Sequence, residues 1–132
     1  MSTINFENAM FIINAAAGTT HKGILGLQEC SGRAEFNIVD CDTDEKLGTA
    51  MLNVECYGKD DTGYEGQSIF SICSDGKEIF RTVFNTDDME GARGGYNRFI
   101  TDIALATNKP RANVKEFLAN ACELIGRNSI EE

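Results

Sequence analysis

Thr49-Ala50-Met51-Leu52-Asn53-Val54-Glu55-Cys56-Tyr57 is the stretch whose reading decides the fold. Ala50, Leu52, Val54 and Cys56 alternate with Thr49, Asn53 and Glu55, the two-residue period of a half-buried strand. Met51 and Tyr57 share the polar face, so that face is not purely solvent-facing. Toward the N-terminus, Asp42–Gly48 reads as a charged loop and Ala34–Cys41 as a strand with Phe36 and Ile38 on one face. Ser31-Gly32 is a turn signal. Ile24–Cys30 is an apolar run interrupted by Gly26, as at a bulge or a close backbone approach. Ala15–Thr20 reads as a turn, and Met10–Ile13 as a short strand. Toward the C-terminus, Gly58–Gly66 is an acidic loop and Gln67–Cys73 a strand. Ser74-Asp75-Gly76 is a hairpin turn, because Asp-Gly tolerates positive φ. Lys77–Phe84 returns, with Phe80 and Phe84 on one face and Ile79 and Val83 on the other.

After Asn85 the periodicity changes. Thr86-Asp87-Asp88 can cap a helix start. Gly91, Gly94 and Gly95 weaken helix there, at about 1 kcal/mol each relative to alanine. From Tyr96 the pattern is helical, with Phe99, Ile100, Ile103 and Ala106 on one stripe. Asn108-Lys109-Pro110 breaks the helix. Asn113 with Glu116 three residues later resembles a capping box. Val114, Phe117, Leu118, Ala121, Leu124 and Ile125 then form a second apolar stripe, which Gly126 is placed to end. The expected fold is α+β in a single domain, 1–132. About six antiparallel strands over 1–85 form a small barrel or curled sheet, and two C-terminal helices follow over 86–127.

The 132 residues are 42% hydrophobic and 25% charged, the composition of a globular chain. No run reaches the roughly 20 apolar residues of a membrane helix. Met1–Asn8 has no signal-peptide pattern, so a cytoplasmic location is expected. Net charge is −9, which argues against a simple duplex-DNA binder. The charge is uneven: residues 1–75 hold twelve acids and four bases, residues 91–127 three acids and six bases. Five cysteines, Cys30, Cys41, Cys56, Cys73 and Cys122, are odd in number, widely spaced and lack a CxxC pair. With His21 as the single histidine, they read as reduced apolar thiols rather than disulfides or zinc ligands.

Two local patterns are weighed for chemistry. Gly91-Ala92-Arg93-Gly94-Gly95 before a helix can hold an anion, though its spacing is neither a P-loop nor a dinucleotide fingerprint. Asp40-x-Asp42-x-Asp44 has the alternation of a calcium loop but lacks its glycine and final glutamate. No nucleophile elbow, HExxH helix or triad pattern occurs, so no enzyme activity, metal or cofactor is expected. Phe36, Tyr57, Tyr64, Phe70, Phe80 and Phe84 lie on or beside strands, with Arg33, Lys59, Lys77 and Arg81 among them. Strand aromatics beside cations are how sheet proteins stack single-stranded bases.

The stretch 48–55, Gly-Thr-Ala-Met-Leu-Asn-Val-Glu, is followed by 61–70, Asp-Thr-Gly-Tyr-Glu-Gly-Gln-Ser-Ile-Phe, and by Asp75-Gly76. Over about residues 33–84 this resembles small phage-encoded single-stranded-DNA-binding proteins of the oligonucleotide-binding-barrel (OB) type. The resemblance implies an OB-like barrel and a non-enzymatic role on single-stranded DNA. Tyr57, Lys59, Tyr64, Lys77, Arg81, Arg93 and Arg98 are then the candidate contacts, with Tyr64 as the exposed stacking ring. The alternative is a small acidic inhibitor, a nucleic-acid mimic of the phage counter-defence, anti-restriction or anti-CRISPR kind. It would present Asp42, Asp44, Asp60, Asp61 and Glu65 to a basic protein partner on a nucleic-acid-binding host enzyme. A third reading is a small anionic ligand at Gly91–Arg98. Homo-oligomer formation is compatible with each.

Overall fold

Five long strands follow one another along the chain: β1 Ala9–Lys22, β2 Gln28–Asp40, β3 Lys46–Lys59, β4 Gly63–Ser74 and β5 Lys77–Asn85. Helices α1 Gly91–Thr107 and α2 Arg111–Arg127 come next, and a short strand β6 Ser129–Glu131 closes the order. The computed structural model describes the backbone of residues 4–22, 28–59, 63–85 and 91–131, and the side chains of 4–18, 31–55, 67–85 and 96–128. Each strand from β1 to β5 pairs antiparallel with the next, and β6 runs parallel to the far end of β1, in the order β5-β4-β3-β2-β1-β6.

The two-residue period carries through the whole sheet. Ala34, Phe36 and Ile38 of β2, Ala50 and Leu52 of β3, and Phe70 and Ile72 of β4 are buried on one face. The two helices cover that face, α1 over β5 and α2 over β1 and β2. They contribute Phe99, Ile100 and Ile103 from α1 and Val114, Leu118 and Ala121 from α2. A helix stripe laid on a sheet face removes both apolar surfaces from water at once. Phe117 of α2 sits among Phe11, Phe36 and Phe70, with ring centroids 5.1, 5.7 and 5.9 Å away. Thr82 on β5 donates from its hydroxyl to the Asp102 carboxylate at 3.1 Å, fastening β5 to α1.

The structure corrects the sequence reading at several points. Among the described residues the strands form an open sheet, not an OB-like barrel, because pairing never returns from β5 to β1. Two helices already cover the inner face, so closure is not needed to bury it. Among the described residues the N-terminal region holds five strands rather than about six. Ala15–Thr20 lies inside β1, past a bulge between Ile13 and Ala15, and Ser31-Gly32 lies inside β2. Gly32 is there for packing: a Cβ on it would stand 2.3 Å from Cγ2 of Ile125, where the end of α2 meets the sheet. The expected loop 58–66 shrinks, with β3 reaching Lys59 and β4 starting at Gly63. Gly91–Gly95 forms the first turns of α1, not a loop before it. The Asn113–Glu116 capping box is absent, because α2 starts earlier, with Pro110 as its N-cap and the Asn113 N–H bonded to the Pro110 carbonyl at 3.0 Å. The expected strand Ile24–Cys30 is present from Gln28 onward; Gly26 lies outside the described residues, as does the expected cap Thr86-Asp87-Asp88.

The Asp-Gly hairpin is as expected: Asp75 has φ 52° and Gly76 φ 76°, the two positive values of a type I′ turn. Asn108 ends α1 at φ 52°, with the Lys109 N–H donating to the Ala104 carbonyl at 3.1 Å. That is the bond of a Schellman ending, with asparagine in the place glycine usually takes.

Candidate functional site

The meander places the β2–β3 turn and the β4–β5 turn at the same end of the sheet, where β1 also begins. The β2–β3 turn is built by its own polar groups. Asp40 accepts from the backbone N–H groups of Asp42 at 2.9 Å and Thr43 at 3.1 Å. These two bonds favour the charged form and hold the Asp40 carboxyl below the usual carboxylate range. The Asp44 N–H donates to the Asp40 carbonyl, and the Asp40 N–H to the Glu45 carbonyl, both at 2.9 Å. Asn8 reaches across from the start of β1 and donates to the Asp42 carboxylate at 2.6 Å. Asp40 therefore serves as the brace of a tight turn, and the alternating aspartates are an Asx-type turn rather than a cation loop. No cluster of three or more metal-ligating side chains occurs among the described residues.

That turn presents Asp42, Asp44 and Glu45 to solvent, with Asp75 on the neighbouring hairpin and Glu7 beside the start of β1. No cation pairs with any of these five among the described residues. Lys46 and Lys77 are described cations on the adjoining strands, and Lys109 sits on the Ala9 carbonyl at the start of β1; Lys46 and Asp75 line one shallow depression. The end of the sheet is thus a braced, net-negative surface.

The face of the sheet away from the helices is different. Arg33 is ion-paired with Glu35 at 2.8 Å, and Arg81 with Glu78 at 2.8 Å. A trough of about 270 Å3 in this face is lined by residues including Asn14, Glu35, Lys46, Thr49, Met51 and Ser71, with the buried Phe36 beneath it. All eight phenylalanines are described, and none is among the exposed large apolar residues. Phe36, Phe70 and Phe99 are buried in the core, while Phe6, Phe11, Phe80, Phe84 and Phe117 are partly buried against it. Tyr96, on α1, is exposed and edge-on to Phe84 at 5.8 Å.

The sequence-derived candidates are spread widely. Lys77 and Arg81 are exposed on β5 near the acidic end, and Arg98 is exposed on α1. Arg93 lies in α1 and Tyr57, Lys59, Tyr64 and Glu65 lie in β3 and β4 by backbone, their side chains outside the described residues. Asp60 and Asp61 lie outside the described residues altogether. The register sets Tyr57 opposite Glu65 and Gly58 opposite Tyr64. β3 is 14 residues long, roughly 43 Å at about 3.3 Å per residue. Asp42 and Asp44 therefore stand at the opposite end of β3 from Lys59, the residue that leads into Asp60 and Asp61, and the five acids do not make one patch. Sequence reasoning missed Asp75, Glu45 and Glu7 as neighbours of Asp42 and Asp44. Adjacency of two turns in a meander depends on strand order, which local pattern does not encode.

On the helix side, a cleft of about 110 Å3 between α1 and α2 is lined by residues including Leu52, Val54, Phe84, Phe99 and Cys122. Burial pushes the Cys122 thiol above its ordinary pKa, which keeps it protonated and a poor nucleophile. No described helix is long and apolar enough to cross a membrane. Comparison of the chain with protein-family models, with curated proteins and with solved structures finds no match.

Proposed function

We propose that the chain is a non-enzymatic binding protein whose partner is a basic protein, engaged through the acidic end of the sheet. One observation carries this reading: Asp42, Asp44 and Glu45 stand on a braced turn and Asp75 on the neighbouring tight hairpin, with no cation paired to them among the described residues. Turns of fixed backbone hold the residues that bear these carboxylates in place, and Asn8 holds the Asp42 carboxylate itself, which lowers the ordering cost on binding. They can stand where the phosphates of a nucleic acid would lie on a basic host enzyme, as a counter-defence mimic does.

Single-stranded DNA is the second reading, favoured by the placement of Tyr57, Lys59 and Tyr64 on two long paired strands. Against it, Arg33 and Arg81 are already paired with glutamates, and no described phenylalanine offers a stacking face. Titration of a fluorescently labelled dT oligomer at low salt separates the two. The proposed function gives a flat anisotropy signal. Saturable binding that weakens with salt, and with Tyr64→Ala by about 1–3 kcal/mol, overturns it in favour of DNA.

A further inference from the structure

The two edges of the sheet are built in opposite ways. β5 carries Lys77, Glu78 and Arg81 and a register irregularity opposite Ile72 and Cys73, the charge and bulge by which natural edge strands resist pairing. β1 has no charged residue from Ala9 to Thr20. Its exposed face shows Met10 at 40% and Ile12 at 45% of full exposure. Beneath the same stretch a groove of about 440 Å3 opens between β1 and α2, lined by Phe11, Ile13, Phe117 and Leu124.

The hydrogen bonds of that edge are accounted for at both ends but not in the middle. The Ala9 N–H donates to the Phe6 carbonyl, and the Ala9 carbonyl accepts from Lys109 Nζ at 2.5 Å. The Asn8 carbonyl, one residue before, accepts from the Cys41 N–H on the β2 side. Backbone groups alternate sides along a strand, so Phe11 and Ile13 direct their N–H and C=O outward, as Ala9 does. After the bulge, the Ala16 carbonyl accepts from Asn128 Nδ2 at 2.9 Å, and β6 occupies the edge from Gly18 to Thr20. Among the described residues, an unoccupied slot, Met10 to Ala15, remains between two side-chain caps.

We propose that a second copy of this chain fills the slot, β1 pairing antiparallel with β1 about a two-fold axis through Ile12. This assignment is independent of the function proposed above. In that register Phe11 of one copy faces Ile13 of the other in hydrogen-bonded pairs, so all four free backbone groups of each slot are used. Ile12 faces Ile12 as a non-hydrogen-bonded pair. The slot is nearly centred on Ile12, so the caps at Ala9 and Ala16 stop the pairing at matching points in both copies. Charge favours self-association here over a charged partner. A chain of net charge −9 repels its copy except through a neutral patch, and this strand is uncharged. The only charges lining its groove, Glu123 and Arg127, are ion-paired to each other. Across a two-fold axis such a pair meets its own complement.

Sedimentation equilibrium from about 1 to 100 µM, the range in which an interface at the small end of the usual sizes assembles, tests this. The wild type approaches twice 14.4 kDa at the upper end and Ile12→Lys stays monomeric. Ile79→Lys, on the β5 edge, behaves as wild type. Ile12→Cys, oxidised mildly and compared with the wild-type blank, gives a cross-linked dimer, because Cα atoms in such a pair are about 4.5 Å apart, within disulfide reach. Ile79→Cys does not. A wild type that stays at 14.4 kDa throughout overturns the proposal, including the case in which an extended peptide from another protein fills the slot instead. An Ile12→Lys dimer overturns it by placing the interface elsewhere. If Ile12→Lys is not folded by circular dichroism, the Ile12→Cys cross-link decides alone, and its absence refutes the register.

Discussion

Replacing Gly32 with alanine probes the contact that seats the end of α2 on the sheet. The new Cβ would lie 2.3 Å from Cγ2 of Ile125 and 3.5 Å from its Cβ, against about 3.5–4.0 Å for carbon atoms at rest. Ile125 cannot simply swing its methyl away, because a β-branched residue in a helix has one strongly preferred χ1. The last turn of α2 must therefore lift by more than 1 Å. Overpacking of this kind costs about 1–3 kcal/mol. Removing a glycine from a strand returns about 0.5–1 kcal/mol, which leaves a net loss of about 1–2 kcal/mol. Ile125→Ala, at a half-buried site, should cost about 2 kcal/mol, the low end for such truncations. In the Ile125→Ala background the obstruction is gone, so Gly32→Ala should become neutral or stabilising by up to about 1 kcal/mol. The double-mutant cycle then shows a coupling of about 2 kcal/mol, measured by urea unfolding followed by far-ultraviolet circular dichroism. Equal effects of Gly32→Ala in both backgrounds, or stabilisation of the wild type, would refute the packing argument.

Asp40 has a lowered pKa in the fold, so its contribution is present above the unfolded value of about 3.9 and is lost as pH falls through its lower folded value. Amide exchange at Asp42 and Thr43 should accelerate in that acid window, and Asp40→Asn should remove this pH dependence. Cys122 is exposed like Cys41, but partial desolvation pushes its thiol above its ordinary pKa, so it should alkylate more slowly at neutral pH than Cys41, as read by mass spectrometry of peptides. Phe117→Ala removes a ring stacked on Phe11 but only half-buried, so a loss of about 2–3 kcal/mol is expected, below the 3–5 of a fully buried ring; a loss under about 1 kcal/mol would show that the ring does not anchor α2. Five cysteines, odd in number and widely spaced, predict a melting temperature unchanged by dithiothreitol; Cys41, Cys73 and Cys122 are free, and a drop would point to Cys30 and Cys56, which the register sets opposite each other.

The parts of the fold written in local pattern were legible. β3 shows its period over nine residues, Asp75-Gly76 dictates its turn, and the stripes of α1 and α2 include Phe99, Ile100, Ile103, Val114, Leu118 and Ala121, which are buried, while missing the buried Ala104 and Thr107. What was misread depends on contacts between distant segments. Ser31-Gly32 has the composition of a turn, yet Gly32 is small because Ile125, 93 positions later, lies against it. Ala15–Thr20 looks like a loop for want of large side chains, although its backbone is held by β2 along its length. Asn113 had the form of a cap, but Pro110 fixes φ at −62° and starts the helix first. The acids of the candidate site were visible as charges. Which of them share an end of the sheet depends on strand order and on the length of β3, which separates Asp42 from Lys59.

The central claim is that the carboxylates at the acidic end of the sheet bind a basic protein where it would bind nucleic acid. The direct measurement is retention from a nucleic-acid-free lysate of the source cells on two columns. One carries the wild type and the other Asp42→Lys/Asp44→Lys/Asp75→Lys. The account predicts that a basic protein stays on the wild-type column, leaves it when short DNA is added, and is not retained by the charge-reversed variant. Equal retention on both columns, or retention that DNA does not disturb, would contradict it.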